Sequence, residues 1–203
     1  MNDQSREFTL LYTASLSGQL ELLPRLYTFI KTLRSELQPA WMLDLGQSCA
    51  ADVWHCDETE GRSMLVALDG MGYTAANASH LTEGSLERLR PQLVMALVDA
   101  AHPHVEGSFL FSVAPQQGDG HLCVVMTPDS ITTLNGDVLR LQSVVSGQIG
   151  VARLAPGSSG FTLLSSETRI LPAGTAPDAT IAGVVDFVVA EARYYGKRKS
   201  GQS

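Results

Sequence analysis

The spacing of apolar positions changes along the chain, and each change marks a different kind of element. Residues 8–12, Phe-Thr-Leu-Leu-Tyr, are apolar and β-prone, and they run into Thr13-Ala-Ser-Leu-Ser-Gly18, small polar residues suited to a turn. Over residues 20–37 the period becomes helical. Leu22, Leu23, Leu26, Phe29, Ile30, Leu33 and Leu37 share one face, Pro24 fits the first turn, and Gln38-Pro39 supplies a stop. Trp41-Met-Leu-Asp-Leu45 reads as a second short buried strand ending at Gly46. A strand, helix and strand of these lengths predict a right-handed crossover, so the two strands are parallel and their carboxyl ends share one edge. Ligands of open α/β sheets bind at that edge.

The pattern continues with a polar loop expected over residues 52–61, a helix over 62–71 ending at Gly72, and a short strand over 73–77. A helix over 83–90 stopped by Pro91 and a strand over 93–98 follow. Beyond Ala101 the runs shorten. Residues 108–113, 121–126, 137–141, 149–154 and 161–170 are strand-like, and segments such as Pro115-Gln-Gln-Gly-Asp-Gly120 and Asn135-Gly136-Asp137 between them predict antiparallel hairpins. Pro177-Asp178 opens a last helix over 179–195, with Ile181, Val184, Val185, Val188 and Ala192 on one face.

Composition narrows the class. A chain of 203 residues, 44% hydrophobic and 17% charged, can bury one large core, so residues 1–196 are expected to form a single domain and 197–203 a basic disordered tail. The net charge of −7 argues against nucleic acid, because the only basic run is Lys197-Arg198-Lys199. The polar start, residues 1–7, and the short apolar run after it resemble neither a signal peptide nor a membrane span. Cys49, Cys56 and Cys123 are an odd number without paired zinc spacing, which suggests free thiols and a cytoplasmic location.

Three segments resemble the calcineurin-like metallophosphatases, in particular the bacterial 5′-nucleotidase branch. Leu11-Tyr-Thr-Ala-Ser-Leu-Ser-Gly-Gln-Leu20 is similar to that family's first strand and loop, where Thr-Asn-Asp-(Ile/Leu)-His-Gly supplies metal ligands. Met42-Leu-Asp-Leu-Gly-Gln47 is similar to its Leu-Asp-Ala-Gly-Asp, whose last Asp bridges two metals. Leu68-Asp-Gly-Met-Gly-Tyr-Thr-Ala75 is similar to the segment preceding its Gly-Asn-His-Glu. The likeness spans residues 8–89 and implies a metallophosphatase-like layered α/β sandwich, with a parallel βαβ first half, an antiparallel β-rich second half and a C-terminal helix.

The resemblance also fixes where this chain departs. Ser15 and Ser17 stand at the family's first Asp and His, Gln47 at the bridging Asp, and Leu81 at the catalytic His. Neutral hydroxyls and amides cannot offset two divalent cations in a partly desolvated pocket. The expectation is therefore a catalytically inactive, metal-free protein without a cofactor or catalytic residues. It would act on a protein partner or a small polar ligand, with Ser15, Ser17, Gln47, Asn77 and His80 as the ligand-binding candidates. Self-association is compatible with the low charge, and neither nucleic acid nor membrane is expected as a partner.

Other constellations keep an enzyme in view as the alternative. His102-Pro103-His104 could hold a single metal, or could be a surface loop whose turn Pro103 sets. Cys49, His55 and Cys56 cluster after the second strand and could bind zinc, or form a loop with a buried thiol. Ser15 or Ser17 could act as a nucleophile with His80 as base, although no Gly-x-Ser-x-Gly elbow is present. Asp44 is expected to orient loop amides.

Overall fold

The computed structural model describes residues 7–37, 40–117, 120–158 and 160–200. Six strands form the larger sheet in the order β11-β10-β1-β2-β3-β4: β1 Phe8–Thr13, β2 Ala40–Asp44, β3 Ala75–Asn77, β4 Ala96–Val98, β10 Gln148–Gly157 and β11 Gly160–Ile170. β1 to β4 are parallel, and β10 and β11 close the far side antiparallel. A second sheet has the order β5-β6-β7-β9-β8, from β5 His104–Glu106, β6 Phe109–Ser112, β7 Leu122–Asp129, β8 Thr133–Asn135 and β9 Val138–Gln142.

The alternation along β1 explains the layering. Leu11 faces a core shared with the helices, whereas Leu10 and Tyr12 face the second sheet. On the helix side, Leu26, Ile30 and Leu33 of α1 Leu23–Glu36 pack with Leu65 and Leu68 of α3 Arg62–Gly70 and with Ile181 and Val188 of α5 Ala179–Ser200. Between the sheets, Phe109 lies 4.9 Å from Trp41 and 5.5 Å from Phe8, ring centre to ring centre. This order, helices over one sheet over a second sheet, is the layered sandwich anticipated from the sequence.

Four local expectations are corrected. The segment read as a loop over 52–61 contains a helix, α2 Trp54–Thr59, whose inward face is His55, Cys56 and Thr59. Its polar sequence hides a one-sided pattern only a turn and a half long. Glu60 and Gly61, both with positive φ, end it. The hairpin reading of the second half holds for β8/β9 and β10/β11, but β6 and β7 are parallel, as are β7 and β9. The Pro- and Gly-rich connection over 113–121 is long enough to return the chain to the start of the next strand; residues 118 and 119 within it lie outside those described.

Lys197-Arg198-Lys199, expected in a disordered tail, form the last turn of α5. Lys199 Nζ is held there by the Glu58 carboxylate at 3.0 Å and stands 3.4 Å from the Asp57 carbonyl at the end of α2. Residues 201–203, like the predicted helix stop at Gln38-Pro39, lie outside the described residues. Finally, Cys49 and Cys56 are not free thiols: they are joined in a disulfide, with Cα atoms 5.8 Å apart, because α2 turns Cys56 back over the loop that carries Cys49. Cys123 alone remains free, and it is buried.

Candidate functional site

The carboxyl ends of β1 and β2 lie side by side, so the loops leaving them meet. Three backbone hydrogen bonds join these loops rung by rung. Ser15 N–H donates to Gly46 O at 3.0 Å, Ser17 N–H to Gln47 O at 3.0 Å, and Gly18 N–H to Ser48 O at 2.7 Å. The side chains add a fourth tie, with Ser15 Oγ donating to Gln47 Oε1 at 3.0 Å, while Ser17 Oγ reaches back to Ser15 O at 3.3 Å. Ser15, Ser17 and Gln47 all carry positive φ, 53°, 51° and 58°, a region costly for residues with a Cβ. Sequence patterning gives no signal for this strain, since none of the three is glycine.

Gly18 is fixed from the other side by the segment between the disulfide cysteines. A Cβ on Gly18 would lie 2.8 Å from Val53 Cγ1, and His55 Nε2 donates to Gly18 O at 2.9 Å. The other His55 nitrogen pairs with Ser63 Oγ at 2.7 Å. Both ring nitrogens are thus engaged, and the two cysteines are bonded to each other, so Cys49, His55 and Cys56 do not form the zinc set considered from sequence.

Beneath the loops lies a buried polar network. Asp44 accepts Ser48 Oγ at 2.5 Å, Thr13 Oγ1 at 3.1 Å and the Gly46 N–H at 3.2 Å. Since the Thr13 proton goes to Asp44, the Tyr73 hydroxyl donates to Thr13 Oγ1 at 3.1 Å. Burial pushes the Asp44 carboxyl up to about 7, against the opposing pull of Ser48, Thr13 and the Gly46 amide. Burial, reinforced by the Asp44 charge, raises the Tyr73 phenol. Of the loop amides that Asp44 is expected to orient it accepts one, that of Gly46, and its other two partners are the Ser48 and Thr13 hydroxyls.

Asn77 is drawn into the frame. Its amide nitrogen donates to Leu45 O and Met126 O, each at 3.2 Å, tying β3 to the loop that leaves β2 and to β7, and its oxygen accepts Ser79 N–H and Ser79 Oγ. Its hydrogen-bonding capacity is largely spent on these ties. His80 lies three residues beyond in an exposed turn, where partial burial of its ring lowers its pKa. The structure therefore joins Ser15, Ser17 and Gln47 directly and brings Asn77 against Gly46, whereas His80 stands outside their hydrogen bonds.

The two histidines of His102-Pro103-His104 diverge. His102 Nδ1 pairs with Asp99 Oδ1 at 3.0 Å, whereas His104, at the start of β5, is 3.6 Å from Glu106 and stacks on Phe111. They do not converge on one metal. Burial would raise the Asp99 carboxyl, but Arg90, His102 and the amides of Ala101 and His102 hold it down at about 2. Asp99 and His102 line a groove of about 610 Å³ with Ser79, Leu81 and Arg90. A further groove of about 330 Å³, with Arg62, Arg88 and Lys199 in its walls, has each of those cations against a glutamate.

Helices on one face of a mixed sheet, a second sheet on the other, and loops meeting at the ends of parallel β1 and β2 define the metallophosphatase-type fold. Solved structures share it. The calcineurin-like phosphoesterase YfkN from Bacillus subtilis matches with a TM-score of 0.60 at 10% identity, over 93% of this chain and 98% of that one. The 5′-nucleotidase precursor from Thermus thermophilus matches with a TM-score of 0.63 at 12% identity over 97% of this chain, and the NAD nucleotidase from Haemophilus influenzae with 0.62 at 8% over 95%. The chain spans 59% and 60% of the length of these last two. No protein-family model matches the sequence, and no curated protein sequence does.

The two-metal site implied by the resemblance can be tested against the residues present. Ser15 and Gln47 spend a donor and an acceptor on each other, and no group of three or more His, Cys, Asp or Glu side chains among the described residues is arranged to hold a metal ion. This donor set does not fit two divalent cations.

Proposed function

We propose that this protein is a non-catalytic relative of the metallophosphatases and 5′-nucleotidases, retained to bind a small polar ligand or a protein partner at the loops carrying Ser15, Ser17 and Gln47. The observation that carries the reading is the Ser15 Oγ to Gln47 Oε1 hydrogen bond. It spans the two positions where the resemblance places an Asp ligand and the bridging Asp, and it replaces two charges that would need metal with a neutral pair that needs none. The names of the structural neighbours, a phosphoesterase and two nucleotidases, point to a nucleoside or an anion as the first ligands to try.

Metal analysis of the purified protein is the direct test, coupled to a panel of phosphate mono- and diesters assayed with and without manganese. The expected result is substoichiometric metal and no metal-stimulated turnover. Stoichiometric manganese, iron or zinc, or turnover lost on Gln47→Ala, would overturn the proposal.

A second reading has its own support. In the Asp99–His102 pair the carboxylate orients the imidazole through Nδ1, and His102 lines a groove also lined by Ser79, an arrangement suited to general-base hydrolysis without metal. Ester hydrolysis abolished by His102→Ala and untouched by chelator would favour this reading over the first.

A further inference from the structure

We infer that the Cys49–Cys56 disulfide is a redox clasp on the Ser15–Gln47 loop pair, and that its reduction by a dithiol releases the hydrogen bonds joining the two loops. The inference rests on the reading of that loop pair as the remaining site, but its readout needs neither metal nor ligand.

The covalent ring closed by the disulfide begins one residue after Ser48 and ends one residue after His55. Three contacts that fix Gly18 come from this ring or its border. Ser48 O receives the Gly18 amide, Val53 packs where a Cβ of Gly18 would stand, and His55 Nε2 holds the Gly18 carbonyl. Gly18 in turn ends the loop whose Ser15 and Ser17 amides bond to Gly46 and Gln47. The bonds at Ser15, Ser17 and Gln47 are made in left-handed backbone, which resists persistence unless its surroundings impose it. A covalent tie from this loop to α2, which itself packs on α3 and α5, is such an imposition.

Cys49 is half-buried and Cys56 only 4% exposed, so a reductant meets the Cys49 sulfur first. A thiolate of the dithiol attacks Cys49 Sγ, and Cys56 leaves as a thiolate and takes a proton from water. The reductant's second thiol then displaces Cys49 from the mixed disulfide. Two electrons pass from the dithiol, which ends as a cyclic disulfide, to the protein, which ends with two thiols. Freed of its partner, the loop over 45–53 keeps only hydrogen bonds and packing to hold the strained backbone.

The test begins with the full-length protein purified without reductant. Alkylation after unfolding, read by mass spectrometry, is expected to label Cys123 alone. Amide exchange is then followed by NMR with and without dithiothreitol. On reduction the Ser15, Ser17 and Gly18 amides are expected to exchange roughly 10- to 100-fold faster, while amides paired between β1 and β10 stay within about twofold, as for a local opening. Cys49→Ser should show the reduced pattern without reductant, and Cys123→Ser the oxidised one. Three labelled thiols in the native protein, unchanged exchange at the three amides, or a rise spread through β1 and β10 would each overturn the clasp. Stoichiometric metal would overturn the proposed function and leave this exchange result standing, so the two failures are distinguishable.

Discussion

Tyr12 and Ser15 are three residues apart at the end of one strand, yet they belong to regions built on opposite physical terms. Tyr12 is fully buried between the sheets, its ring over Gly150 of the neighbouring β10 and in one apolar layer with Phe109 and Phe111. Ser15 sits in a loop held by backbone hydrogen bonds and a neutral side-chain pair, in a conformation its own Cβ resists. The first region permits little change of volume, because close-packed layers have nowhere to move. The second permits change of chemistry, because its shape comes from the backbone. This difference fits a fold shared with solved structures at only 8–12% identity.

The comparison is broken most directly at Gly150. A Cβ there would lie 2.0 Å from Tyr12 Cζ, so Gly150→Ala forces the ring or the strand to shift. A loss of more than about 3 kcal/mol is expected in urea unfolding, at the upper end of overpacking costs. A loss under about 1 kcal/mol would mean that the intersheet layer is as yielding as the loops.

Asp44 lies between the two regions and should report on both. Its folded-state pKa is raised above the unfolded value, so the native state binds the extra proton and stability falls as pH rises from about 4 to about 7. Between pH 5 and pH 8 the wild type should lose on the order of 2–3 kcal/mol from this group. His80, with a lowered pKa, works in the opposite sense, adding stability as pH rises through the range below its ordinary value. Asp99, held at about 2, is ionised throughout and contributes no slope in this window. Unfolding curves of Asp44→Asn should therefore lack the fall and keep only the small His80 rise. An unchanged fall in the variant would assign the slope elsewhere.

Much of the frame was legible in the sequence because periodicity reports burial. Residues 8–12, the stripe from Leu23 to Leu33 and the face from Ile181 to Ala192 each read correctly, since the strand is a continuous run buried on both faces and each helix buries one stripe against a large core. The short helix α2 did not. α2 has six residues and a polar composition, so its helical period never completes a convincing repeat, and the disulfide that depends on it stayed hidden with it. The direction of β7 escaped because a Pro- and Gly-rich segment can turn a hairpin or carry a parallel return, and only the partner strand decides which. At the site, the resemblance marked Ser15, Ser17 and Gln47 as candidates, but their strained backbone and mutual bonds are tertiary facts with no pattern in the residues themselves.

Removing the cross-link should cost less than Gly150→Ala. The cysteines are seven apart in sequence, a short closed loop whose loss releases about 2 kcal/mol of denatured-state entropy. Cys49→Ser is therefore expected to lower the urea midpoint by about that much while leaving the m-value close to that of the wild type, since the sheet core is untouched. A cost above about 4 kcal/mol would place the disulfide within the frame and erase the distinction between frame and loop.

The smallest effect isolates the strain itself. Gln47→Ala and Gln47→Gly both remove the amide that accepts from Ser15, so both lose the same hydrogen bond. They differ in what the backbone at φ 58° then costs: alanine keeps a Cβ in the left-handed region, and glycine does not. The glycine variant also carries more freedom in the unfolded chain, which offsets part of the gain. It should thus be the more stable of the two by about 1 kcal/mol in paired unfolding experiments. Equal stabilities would show that the loop relaxes once Gln47 is gone, making the side-chain pair the source of the left-handed backbone. The expected difference would make the backbone register the source, with the Ser15–Gln47 bond a consequence of positions already fixed by the three amide rungs.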